Sequence, residues 1–110
     1  MKLLALFLQL AVCEPFLATG YSNDPISINV AAWRDGLTAT YTPARRGVCA
    51  ADWNVLPVGT FVYVPDYGFC RVEDRGAAII GRHVDLFFPT RREALNWGAR
   101  EVWACYVTPR

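Results

Sequence analysis

Short apolar or alternating runs, each cut off by turn-forming residues within about ten positions, dominate this 110-residue chain. They are Phe16–Tyr21, Ile26–Trp33, Leu37–Tyr41, Gly47–Asp52, Thr60–Val64, Phe69–Asp74, His83–Phe88 and Glu101–Val107. The breakers between them include Asn23-Asp24-Pro25, Asp35-Gly36, Pro57-Val58-Gly59, Pro65-Asp66-Tyr67-Gly68 and Arg75-Gly76. Runs of this length and composition make strands, and many short strands at close spacing close into a barrel or stack into a sandwich. A single globular helix stands out at about Arg91 to Trp97. Thr90 can cap it, Glu93 completes a capping box, and Gly98 ends it. The length allows one domain, and a hydrophobic fraction of 54% supplies its core. The expected fold is all-β, a small barrel carrying one short helix.

Into these apolar strands the sequence inserts three aspartates, Asp52, Asp74 and Asp85. A carboxylate taken out of water has to be paired, hydrogen-bonded or neutralised. Three of them in so small a domain mark a site. Strand alternation puts Asp74 on the face of Cys70 and Val72, opposite Arg71 and Glu73. It puts His83, Asp85 and Phe87 opposite the apolar Val84, Leu86 and Phe88. Asp74 is expected to keep apolar company, the condition that raises a carboxyl pKa, while Asp85 beside a histidine and an aromatic suits a groove wall.

The first thirteen residues have the form of an export signal. Lys2 provides the positive start, Leu3 to Val12 is apolar apart from Gln9, and Ala11-Val12-Cys13 resembles a cleavage site. The run is too short to span a bilayer. An uncut first strand, or a lipid anchor on Cys13, are the other readings; the domain proper is then residues 14–110. Removal of the signal leaves Cys49, Cys70 and Cys105, which permit one disulfide, Cys49 with Cys70 being a candidate. In apolar runs, however, such cysteines are more simply read as free core residues. With one histidine and no Cys-x-x-Cys pair, neither a zinc site nor any other cofactor is expected. A net charge of +1 gives no reason to expect nucleic acid, and Arg45-Arg46 and Arg91-Arg92 read as solvated pairs. A secreted monomer acting in the periplasm or cell wall is the expectation.

The motifs themselves resemble the bacterial three-aspartate (3D) domain family. The matching segments are Ala18-Thr19-Gly20-Tyr21-Ser22, Ala50-Ala51-Asp52, Leu56 through Pro65 and Tyr67-Gly68. They continue with Glu73-Asp74-Arg75-Gly76-Ala77-Ala78-Ile79, Val84-Asp85-Leu86-Phe87-Phe88 and Glu93-Ala94-Leu95-Asn96-Trp97-Gly98. The resemblance runs from about residue 17 to residue 107. It implies a six-stranded double-psi β-barrel, similar to the catalytic barrel of membrane-bound lytic transglycosylase A and to stationary-phase muralytic enzymes. His83-Val84-Asp85-Leu86 is also similar to an element of the expansins. The chain departs from the family pattern at Ala77, where a second glycine is common, at Ile80, where a basic residue is common, and at Asp66, where glycine is usual.

What the resemblance implies is lytic cleavage of peptidoglycan glycan strands between N-acetylmuramic acid and N-acetylglucosamine. Such cleavage needs an acid for the leaving oxygen and a base for the muramic acid 6-hydroxyl, which closes a 1,6-anhydro ring. One carboxyl can serve both steps if its pKa is raised. Asp85 is the candidate, with Asp74 beside it; Asp52, followed by Trp53 and Asn54, is the third member and the one best suited to a structural role. Thr19, Tyr21, Gly76 and His83 are candidate substrate contacts, and Thr40 is a second threonine that could bond the aspartates. Tyr21, Tyr41, Trp53, Tyr67 and Trp97 could stack on sugars but more simply fill the core. The competing functions are a non-catalytic glycan-binding or wall-loosening module and a purely structural barrel.

Overall fold

The computed structural model describes residues 2–23, 37–40 and 42–109. Six strands close into one mixed barrel: β1 Val12–Tyr21, β2 Val48–Ala51, β3 Phe61–Val64, β4 Gly68–Asp74, β5 His83–Phe87 and β6 Ala99–Val107. Around the barrel the order is β1-β5-β2-β4-β3-β6. β1 with β5 and β2 with β4 are parallel, and the other four neighbours are antiparallel. Exchanging β1, β2, β3 for β4, β5, β6 reproduces every one of these pairings. The double-psi arrangement therefore has a two-fold symmetry of topology that the sequence does not display as a repeat.

Inside the barrel, Phe16, Ala18, Cys49, Ala51, Val62, Val64, Cys70, Val72, Val84, Leu86 and Ala104 form a continuous buried core. Alternation along β1 and β5 thus sorts side chains as the sequence leads one to expect. β4 does not follow it. The register pairs Cys49 with Val72 and then Ala50 with Asp74, so Glu73 is an extra residue in the ladder, a bulge. The bulge turns Asp74 away from the core face of Cys70 and Val72 and onto the outer face shared by Ala50. Glu73, which simple alternation leaves on the solvent face, is almost wholly buried. It accepts a hydrogen bond from Thr42 and is paired with Arg45 and Arg71. Arg45 is accordingly no bystander, and Arg46 lies over the rings of Tyr67 and Phe88 while donating to the Tyr67 carbonyl.

The helices are α1, Lys2–Leu10, and α2, Arg91–Trp97. α2 is capped as its sequence requires: Thr90 accepts from the Glu93 amide, and Gly98 has φ 71°. Its Ala94 and Trp97 are buried, and the Trp97 indole donates to the Ala18 carbonyl. That contact seals the helix to β1 where Gly20 leaves room, since a Cβ there would come within 2.8 Å of Phe88. α1 is a second helix beyond the one expected. It lies in the stretch read as an export signal and touches the barrel through Phe7, edge-on to Phe69. None of the described helices is long and apolar enough to cross a membrane.

The cysteine reading needs correction, because all four cysteines are bonded: Cys13 with Cys105 and Cys49 with Cys70. β1 begins at Val12, and Cys13 faces Cys105 directly in the β1–β6 ladder with Cα atoms 4.0 Å apart, the close spacing of a non-hydrogen-bonded pair. Pro15 shares that parity, so its missing N–H points away from β6, and β5 does not begin to pair until Leu17. Within the expected strand Leu37–Tyr41, the described residues 37–40 form no named strand, and Leu37 makes an isolated bridge to Pro43. The expected strand at Ile26–Trp33, and Tyr41, lie outside the described residues.

Candidate active site

On the outer face of the barrel, the register lines up four residues in a row across adjacent strands: Thr19 on β1, Asp85 on β5, Ala50 on β2 and Asp74 on β4. Ala50 is the smallest side chain that keeps a Cβ, so the row dips between the two carboxylates. Tyr21, one pleat further along β1, is buried against Phe87. Its hydroxyl donates to Asp74 Oδ2 at 3.3 Å. Asp74 Oδ1 takes the amides of Ala39 and Arg75 at 3.0 and 2.9 Å. The bulge thus brings Asp74 beside Asp85, but among hydrogen-bond donors instead of the apolar neighbours expected from alternation.

Asp85 is the half-buried member of the row. Its Oδ1 accepts from Thr19 Oγ1 at 2.7 Å. Burial raises its pKa to about 6; the Thr19 hydrogen bond opposes that rise, and the charge of Asp74 adds to it. Burial, and then the charges of Asp74 and Asp85, push the Tyr21 phenol far above its ordinary range, so it remains a donor. His83 stands on the same face with Nε2 2.8 Å from Thr19 Oγ1, and burial holds its pKa below the usual histidine value.

Asp52 takes no part in this row. Its Oδ1 accepts from the Asn54 amide at 3.0 Å and its Oδ2 from the Gly81 amide at 2.9 Å. These two backbone donors hold its pKa below the usual carboxylate range. Gly81 has φ 73°, a conformation natural to glycine, and stands two residues before His83. Asp52 thereby ties the end of β2 to the turn that launches β5. It also lines a cleft of about 370 Å³ with Ala51, Trp53, Asn54, Arg75, Gly76, Ile79 and Ile80. Gly76 stands in the wall of this cleft, as does Trp53, whose ring lies under the Arg75 guanidinium and whose indole donates to the Asp74 carbonyl.

Of the other sequence candidates, Tyr67 and Trp97 are core residues. Thr40 bonds Thr38 and Thr42 and, among the described residues, no aspartate. Two partners escaped the sequence. Glu73 needed knowledge of the bulge, and the link from Thr19 to His83 spans 64 positions and depends on parallel register. Ile80, at the family's basic position, projects 68% exposed, and Asp66 adopts φ 71° where the family favours glycine.

The comparisons agree with this architecture. The profile of the 3D domain matches residues 47–108. The chain belongs to the 3D domain family. Two Bacillus subtilis (strain 168) relatives share its sequence. "Cell wall-binding protein YocH" is 41% identical over 71 residues, 61% of this chain and 25% of the relative. "Putative cell wall shaping protein YabE" is 44% identical over 55 residues, 50% of this chain and 14% of the relative. The chain therefore spans a quarter or less of the relatives it matches. Among solved structures, MltA from E. coli superposes with a TM-score of 0.52 at 23% identity, covering 66% of this chain and 28% of that one. An apo form of an E. coli lytic transglycosylase MltA variant gives 0.53 at 22%, covering 67% and 28%. At these identities the likeness is one of fold, a shared barrel.

Proposed function

We propose that this 3D domain acts outside the cytoplasm on peptidoglycan glycan strands, as a lytic transglycosylase that uses Asp85 as acid and then base. The observation that carries the reading is the state of Asp85: a half-buried carboxyl whose pKa burial raises to about 6 and whose Oδ1 is fixed by Thr19. With Oδ1 so held, Oδ2 is the oxygen left to present a proton to substrate. In the first step the Asp85 proton passes to the glycosidic oxygen as the bond to the muramic acid anomeric carbon breaks. In the second, the Asp85 carboxylate takes the proton of the muramic acid 6-hydroxyl, whose oxygen closes on the anomeric carbon. Asp85 thus ends protonated, as it began, and no water is consumed.

Asp74, oriented by Tyr21 and two amides, places a fixed negative charge near the cationic centre that develops between the steps. The cleft walled by Trp53 and Gly76 is lined by Asp52 rather than by Asp74 or Asp85, and in this reading a sugar would reach from it over the dip at Ala50. In this reading Thr19, Tyr21 and His83 serve the carboxylates, Asp52 holds the turn, and Gly76 borders the substrate. The names of YocH and YabE favour a second reading, a wall-binding module without chemistry. Digestion of purified sacculi, with mass spectrometry of the released material, separates the two. Transglycosylation yields anhydromuropeptides that Asp85→Asn abolishes. Retention on sacculi with no such products supports the binding module.

A further inference from the structure

Thr19 stands between two titratable groups. Its Oγ1 is 2.8 Å from His83 Nε2 and 2.7 Å from Asp85 Oδ1. A threonine hydroxyl carries one proton and accepts at its lone pairs. When that proton goes to Asp85, His83 must offer Nε2–H to complete the second contact. When Oδ1 is itself protonated, the hydroxyl can turn and donate to a bare Nε2. The chain of three groups therefore runs in either direction without moving a heavy atom. Register holds it in place, since Leu17 pairs with His83 and Thr19 with Asp85 in the parallel β1–β5 ladder.

The two ends shift toward each other in acidity. Burial lowers the pKa of His83 while a hydrogen bond to the Ala78 backbone favours its cation, and burial lifts Asp85 to about 6. Around the pair, Asp74 from β4 and Tyr21 from β1 bear on Asp85. Arg82 beside His83 is paired with Glu14, and Glu101 of β6 lies across Leu17 from His83 in the register.

We propose that His83 and Asp85 share one proton through the hydroxyl of Thr19, which makes His83 a positioning residue that sets the protonation of the carboxyl. In the exchange, the imidazolium gives its Nε2 proton to Thr19 Oγ1 while the proton already on Thr19 passes to Asp85 Oδ1. The ring keeps its Nδ1 proton, Thr19 ends with one proton as it began, and the charges of His83 and Asp85 cancel. The use made of that proton rests on the transglycosylase reading; its sharing does not.

The test is an NMR titration of the Asp85 carboxyl carbon and the His83 ring in the wild type, Thr19→Ser, Thr19→Val and His83→Gln, alongside the pH profile of anhydromuropeptide release. In the wild type and Thr19→Ser, both resonances report the same two inflections, the mark of a coupled pair. In Thr19→Val each group titrates alone, and the Asp85 midpoint rises by about one pH unit for want of its donor. In His83→Gln the Asp85 curve shows one step. Curves in Thr19→Val and His83→Gln that superimpose on the wild type overturn the proposal. Linked titrations in a wild type that releases no anhydromuropeptides uphold the shared proton and remove the enzymatic reading. Release with unlinked titrations does the reverse.

Discussion

Asp85 and Asp52 lie near each other across the β2–β5 ladder, where Ala50 pairs with Asp85 and Ala51 with Val84, yet their surroundings are opposite. Asp52 is partly exposed and takes a backbone amide on each oxygen, so its charged form is the satisfied one. Asp85 has one hydroxyl donor, is half-buried and faces the charge of Asp74, so its neutral form is favoured. Residue type and even motif membership are the same; the supply of donors divides a carboxylate held charged from one held neutral, and the proposed function assigns structure to the first and chemistry to the second.

The largest effect expected from that contrast is on activity. Asp85→Asn should lower anhydromuropeptide release by about 10²–10⁴-fold, the usual worth of a positioned acid–base. Asp52→Asn should leave the reaction running in whatever fraction stays folded. Equal losses from both, measured on sacculi with folded protein counted by circular dichroism, would break the comparison.

Next in size is a third acid that sharpens the contrast from the buried side. Burial works against the charge of Glu73, but Thr42, Arg45 and Arg71 outweigh it and hold its pKa below the usual range. Glu73 is buried but both its arginines are about half exposed, so Glu73→Ala leaves no buried charge behind and should cost about 1.5–3 kcal/mol in urea unfolding at pH 7, the usual worth of hydrogen bonds to a charged group. Because the folded pKa is depressed, the wild type's advantage should fade as acid protonates Glu73 in the native state.

Asp85 carries the opposite sign. Its folded pKa is raised from 3.8 to about 6, so the native state holds the extra proton between those values. Stability is undiminished below the lower value and is lost as pH climbs through the upper one, by about 3 kcal/mol at most. Asp85→Asn should therefore be more stable than the wild type by about 1–3 kcal/mol at pH 8, with the gap closing toward pH 4. A constant difference across that range would contradict the assignment. The smallest effect is that of Asp52→Ala, which removes the acceptor of the Gly81 amide and should lower the thermal midpoint by only a few degrees.

The strand positions were legible because alternation and turn residues are local properties. Val84, Leu86 and Phe88 are buried as their spacing demands, and Thr90, Glu93 and Gly98 bound α2 as their chemistry demands. Asp74 was read onto the wrong face because a bulge shifts parity without leaving a turn residue at Glu73. Cys13 and Cys105 are 92 positions apart, and their bond follows from antiparallel register, which a single sequence does not carry. Thr19, by the same reasoning, reads in the sequence as a candidate substrate contact able to bond an aspartate; that it also reaches His83 is a product of closing the barrel.

The account turns on Asp85 holding a proton that its neighbour on the turn gives up. The direct measurement is the wild-type titration of the Asp85 carboxyl carbon by NMR, with Asp52 followed in the same spectra. A principal midpoint near 6 for Asp85, with Asp52 below the ordinary aspartate value, is the predicted result. Midpoints for the two that coincide near 4 would contradict it.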